Sequence, residues 1–153
     1  MRTVSKLLIV ASMFVAASSA YTEAPHGHDH DAPIAGPKGG RLLEDTQPHA
    51  EVLVEQDRSV TVTFYDEELR PVPTAAQQVV VIAEAGGKKT TLEFEKAGAV
   101  LVSKGSLPDE HALNLVVRFK QTPEDTARNF RFVYEDHICE VCKRAEYACI
   151  CGH

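Results

Sequence analysis

The stretch Ser59-Val60-Thr61-Val62-Thr63-Phe64-Tyr65, followed by Asp66-Glu67-Glu68, alternates apolar and hydroxyl-bearing side chains without a break. In an extended chain successive side chains point to opposite faces, so Val60, Val62 and Phe64 share one face and Thr61, Thr63 and Tyr65 the other. A helix would scatter both sets around its axis. The segment therefore reads as a β-strand with one face turned to a core. The same period recurs in ALNLVVRFK, where Leu113, Leu115, Val117 and Phe119 alternate with Asn114, Arg118 and Lys120. It recurs again in RNFRFVYE, where Phe130, Phe132 and Tyr134 oppose Arg131 and Val133. QQVVVIAE is a more continuous apolar run, as expected of a central strand covered on both sides. Ala50 to Glu55, Thr90 to Glu95 and Ala99 to Ser103 are strand-like by composition.

Turn-forming residues separate these runs: Glu55-Gln56-Asp57-Arg58, Arg70-Pro71-Val72-Pro73, Gly86-Gly87 and Leu107-Pro108-Asp109. About seven or eight short strands joined by tight turns predict an all-β fold, a two-sheet antiparallel sandwich of Ig-like type, over residues 41–136. Before Asp136 no segment has a helical period. Glu140 to Tyr147, with Lys143, Arg144, Ala145 and Glu146, is expected to form one or two helical turns.

The two ends differ in character from this domain. Residues 1–20 have the layout of a secretory signal: Arg2 and Lys6, the apolar run Leu7 to Ala17, then Ser18, Ser19 and Ala20. That run is too short to span a bilayer, so the expected mature chain starts near Tyr21, carries no membrane span and is periplasmic or secreted. Residues 21–40 are rich in Pro, Gly, His and Asp with no apolar period, and read as a disordered leader. The whole chain has 153 residues and a formal net charge of −6, and loss of Arg2 and Lys6 with the signal makes it more acidic still. An acidic balance argues against a nucleic-acid partner.

Residues 137–153 form a cysteine-rich tail. It holds all four cysteines of the chain in the spacing Cys139-x2-Cys142-x6-Cys149-x-Cys151, with His153 two residues further on. If the chain is extended from Cys149, the strand period turns Cys149, Cys151 and His153 to one side. Zinc and cuprous copper both accept thiolate and imidazole, so Cys139, Cys142, Cys149, Cys151 and His153 are candidate ligands of a single ion. The rival is a pair of disulfides, the usual fate of cysteines in an oxidising compartment. Thiol redox chemistry is a third reading, disfavoured by Glu140 between the first two cysteines. In the leader His26, His28 and His30 alternate with Asp29 and Asp31, a second cluster suited to loose metal capture. His49 and His111 read as exposed residues without a role, and His137 as a reserve ligand. No nucleophile elbow, phosphate loop or His-Glu-x-x-His motif is present, so no enzymatic activity is expected.

HGHDHDAPIAGPKGGRLLE followed by PHAEVLVEQDRSVTVTFYDEELRPV resembles small exported β-domains of bacteria that accompany heavy-metal efflux adaptors. The resemblance covers residues 26–135 and rests on Gly36, Pro37, Gly39, Gly40, Arg41, His49 and Glu51. It implies a sandwich-like module in metal handling, with an efflux component or another envelope protein as partner. The tail is similar to endings of uncharacterised exported proteins. The chain lacks the long helical hairpin and lipoyl-like segments of the adaptors themselves. These features together point to an exported metal-binding accessory protein, and the alternative is a disulfide-stapled β-sandwich interaction module without a metal.

Overall fold

A computed structural model of the chain describes residues 34–43 and 45–151. Ten strands follow in order: β1 (Ile34–Ala35), β2 (Arg41–Leu43), β3 (His49–Val54), β4 (Ser59–Tyr65), β5 (Pro71–Val72), β6 (Gln78–Ala85), β7 (Lys88–Ala97), β8 (Val100–Ser106), β9 (Ala112–Lys120) and β10 (Arg128–Glu135). All pairings are antiparallel, in the order β1-β2-β3-β4-β8-β7-β6-β9-β10, with β5 on the flank of β4. The signal, His26, His28, His30 and His153 lie outside the described residues.

The expected strands all form, but they are joined into one sheet curled into a half-barrel where two separate sheets were expected. The link is β7. Its first half, Lys88 to Glu93, pairs with β6, and its second half, Phe94 to Ala97, pairs with β8. A ten-residue strand with a different neighbour at each end carries the hydrogen bonding around the curve without a break. Where β4 meets β8 the register shifts between Ser59 and Thr61, and there the buried Ser103 hydroxyl accepts the Val60 N–H at 2.9 Å. A side chain thus replaces the backbone partner that the irregular ladder loses.

The concave face is the core. Val60, Val62 and Phe64 of β4 are fully buried, as their period required, and so are Val52, Val81 and Val117. Cross-strand pairs set the packing: Val52 lies opposite Val62, Val81 opposite Val117, Leu115 opposite Phe132 and Leu113 opposite Tyr134. Phe64 and Phe119 meet at 6.2 Å between ring centroids, tilted by 50°. In β6 only one face is covered: Val79, Val81 and Ala83 are buried, while Val80 and Ile82 are half-buried. The run is continuous because the strand is central between β7 and β9, and its outer side is left half-exposed.

The outer face of β4 has the opposite outcome. Thr61, Thr63 and Tyr65 are buried too, and residues 34–40, expected in the leader, reach this face: the Lys38 ammonium donates to Thr63 Oγ1 at 3.1 Å, and Lys38 and Gly40 share Glu51 with Tyr65. The turn closes through Gly36 N–H to Gly40 O at 2.8 Å and Gly39 N–H to Gly36 O at 3.0 Å. It grips the fully buried Glu51: Lys38 N–H and Gly40 N–H donate to Oε1 at 2.9 and 2.8 Å, and the Tyr65 hydroxyl donates to Oε2 at 2.6 Å. Burial, followed by the Glu51 hydrogen bond, drives the Tyr65 hydroxyl well above its ordinary pKa. A Cβ on Gly36 would stand 2.3 Å from Glu51 Cδ, and one on Gly40 would stand 2.4 Å from the Val52 carbonyl oxygen, so both positions need glycine for close approach. Gly36, Gly40 and the Lys38 N–H thus form a clip around the Glu51 carboxylate.

Among the described residues no helix is long and apolar enough to cross a membrane.

Candidate metal centre

The tail leaves β10 and turns back on itself as a short hairpin. Ile138 bridges Ala145, Glu146 N–H donates to His137 O at 3.0 Å, and Cys139 N–H donates to Arg144 O at 2.8 Å. Lys143 N–H closes the turn onto Cys139 O at 2.9 Å, with Lys143 itself at φ +60°. That left-handed residue reverses the chain and confines Glu140 to Lys143 to a turn, where the composition suggested helix. A single 3-10 turn follows at Glu146–Ala148, after which Cys149 is extended.

Anchoring comes from the middle of the tail. Tyr147 and Ala148 are buried, and the 3-10 turn lies against both β10 and β2. The Tyr147 ring stacks on Phe132 at 6.2 Å and meets Tyr134 at 5.3 Å. Its hydroxyl accepts the Val54 N–H at 2.9 Å, and its carbonyl accepts from Arg41 at 3.4 Å. Arg41 in turn lies over the Phe132 ring at 4.8 Å. Burial pushes the Tyr147 hydroxyl up to about 12.

Anchored this way, the hairpin and the extended segment present four sulfurs to one point. One Sγ from each of Cys139, Cys142, Cys149 and Cys151 lies within 4.8 Å of every other. Cys139 and Cys151 stand 3.9 Å apart, and Cys142 and Cys149 stand 3.6 Å apart. A disulfide requires about 2.05 Å. Four sulfurs about 2.3 Å from a tetrahedral zinc ion would be about 3.8 Å from one another. Both separations match the tetrahedron. Cys149 and Cys151 reach the cluster from the same side of an extended segment, as the strand period required, while Ile150 between them is exposed.

The backbone supports charge on these sulfurs. Although burial works to raise the Cys142 thiol, hydrogen bonds from the N–H groups of Arg144 and Ile150 and from the Cys149 and Cys151 thiols together hold it below its ordinary value. The Cys151 N–H donates to Cys149 Sγ at 3.4 Å. That bond pulls the Cys149 thiol down, but burial and the three neighbouring thiols push it up to about 12. Cys151 is raised by burial and by Cys142. Four thiols crowded together resist becoming four thiolates unless a cation neutralises them. The cluster can therefore hold a metal ion.

His137, the reserve ligand, takes a different place. It faces Glu146 across the hairpin at 3.7 Å and groups with Glu135 and Glu146, whose ligand atoms all lie within 4.8 Å of one another. His111 is exposed and pairs with Asp136 at 3.0 Å. The anchoring role of Tyr147 and Arg41 was not legible from the sequence, although an aromatic residue inside a cysteine-rich tail is itself a sign of docking. No protein-family model, curated protein or solved structure matches the chain.

Proposed function

We propose that this chain is an exported metal-handling accessory protein in which Cys139, Cys142, Cys149 and Cys151 hold a single cation, zinc in preference to cuprous copper. The observation that carries the reading is the convergence of four sulfurs within 4.8 Å of one another, two of the pairs at 3.6 and 3.9 Å, on a hairpin fixed to the sheet by Tyr147. A closed set of four sulfurs suits zinc. The N–H groups of Arg144, Ile150 and Cys151 offset part of the charge that four thiolates leave on the site. His26, His28 and His30 supply a weaker capture site from which a cation passes to the sulfurs by ligand exchange, with His153 as a further candidate ligand. The β-domain is the scaffold, and a partner in the envelope delivers or receives the ion.

Mass spectrometry of protein purified without reductant tests this reading. One bound cation per chain under native conditions, with four alkyl groups added after its removal, is the expected result. No cation and no alkylation would instead establish two disulfides. The chain would then be a stapled interaction module.

A further inference from the structure

The face of the sheet turned away from the core carries a patch that the packing of the domain leaves unused. Across β6, β9 and β10 the register sets Val80 opposite Arg118, Ile82 opposite Val116, and Val116 opposite Arg131. Their chain neighbours Val81, Val117 and Phe132 fill the core, so these side chains point outward. Val80, Ile82 and Val116 are half-buried, and Val133, next along the outer face of β10, is 49% exposed. An outer face that met only water would alternate polar residues here. This one holds an apolar stripe.

Two cations border the stripe. Arg118 and Arg131 are exposed, and neither makes a hydrogen bond or an ion pair among the described residues. The register makes them diagonal neighbours, about 7–8 Å apart across the sheet, where like charges repel. The carboxylates of the same face do not answer them. Glu84 is paired with Lys89 at 2.6 Å and Glu93 with Lys104 at 3.5 Å, while Glu135 lies at the end of β10, about 13 Å along the strand from Arg131. In a chain of formal net charge −6 the patch is a local reversal of sign.

We propose that this outer face of β6, β9 and β10 docks an acidic segment of a partner protein, with carboxylates on Arg118 and Arg131 and apolar side chains on Val80, Ile82 and Val116. A guanidinium takes a carboxylate through two parallel hydrogen bonds, and arginine beside apolar surface is the composition of an interface centre. A local acidic segment fits better than a bilayer, because screening confines the attraction to about 8 Å, whereas an extended anionic surface also meets the rest of an acidic chain. A two-fold dimer through this face would gather four guanidiniums. Three strands and three rows make a patch about 15 Å across, the size of a weak and transient contact. The proposal needs no metal and stands whether or not the cysteines bind one.

The test is NMR titration of the isotopically labelled full chain with a synthetic peptide repeating Glu-Ser-Leu-Ser, whose extended form turns glutamate and leucine to one side. The same peptide with lysine for glutamate is the control. Shifts are expected with the glutamate peptide alone, confined to β6, β9 and β10 around Val80, Val116 and Arg131. Removing both guanidiniums, by Arg118→Ala with Arg131→Ala, should weaken binding about tenfold, the worth of two surface ion pairs. Arg118→Glu with Arg131→Glu should lose the glutamate peptide and gain the lysine peptide, a result that a misfolded variant does not give. Shifts elsewhere or none, equal binding of both peptides, or affinity unchanged by the alanine pair would overturn the proposal. So would binding to phosphatidylglycerol vesicles that the alanine pair abolishes, which would assign the face to a membrane, or a dimer in sedimentation that the alanine pair dissolves, which would assign it to a second copy.

Discussion

Replacing Tyr147 by alanine removes the side chain that holds the cysteine tail to the sheet, and the structure gives the size and place of the effect. Tyr147 is 4% exposed, packed on Phe132 and Tyr134, and its hydroxyl accepts the Val54 N–H at 2.9 Å. Truncating a buried aromatic costs about 3–5 kcal/mol. Losing the hydroxyl alone, as in Tyr147→Phe, costs about 1 kcal/mol. Tyr147 belongs to the same core cluster as Val62, Phe64, Leu115 and Val117, but those four lie on strands that pair without it, so the cost falls first on the tail. Amide hydrogen exchange resolves the two regions, with every 1.4 kcal/mol appearing as about a tenfold loss of protection. For metal-free Tyr147→Ala, protection at Val54, Cys139 and Ala148 should fall by about two to three orders of magnitude while β4 and β9 keep theirs. Tyr147→Phe should cost Val54 about fivefold. Equal loss in β4 and β9 would refute the argument that the tail is a separately docked unit, and unchanged tail protection would refute the anchor itself.

Glu51→Gln should destabilise the fold by about 2 kcal/mol in urea unfolding, since the carboxylate accepts from two backbone N–H groups and a tyrosine hydroxyl in a fully buried position; no change would mean the clip is not a stabilising contact. The Tyr147 pKa is raised on folding, so its contribution is complete below the ordinary tyrosine value of about 10 and is lost as pH rises towards about 12. Tyrosinate absorbance should therefore rise together with loss of tail protection across that alkaline window, and a normal titration of every tyrosine would contradict it. Metal affinity should fall on acidification, by about tenfold per pH unit for each proton the ion displaces, because the raised Cys149 and Cys151 thiols are protonated in the metal-free site. Competition with a chelator at several pH values reads this directly, and a pH-independent affinity would exclude thiolate ligation.

Period-two alternation made the strands legible because it depends only on burying one face, and Val60, Val62 and Phe64 obey it fully. The joining of the two halves through β7 was not legible, because which neighbour each half of Lys88–Ala97 pairs with is decided by curvature and carries no local signal. Gly36 to Gly40 read as leader because glycine and proline lower every propensity. Their meaning appears only with Glu51 beneath them, a contact between distant residues. For the candidate site, spacing alone identified the four sulfurs, since ligand type and proximity in sequence are both local. It could not place His137, because Ile138 pairing with Ala145 turns His137 towards Glu146 and leaves it grouped with carboxylates.

The central claim is that four sulfurs surround one cation, and X-ray absorption at the edge of the metal in protein loaded with a single equivalent tests it most directly. Four sulfur scatterers at about 2.3 Å with one ion per chain is the predicted result. A first shell of nitrogen and oxygen only, or protein that takes up no ion because both sulfur pairs are already bridged, would contradict it.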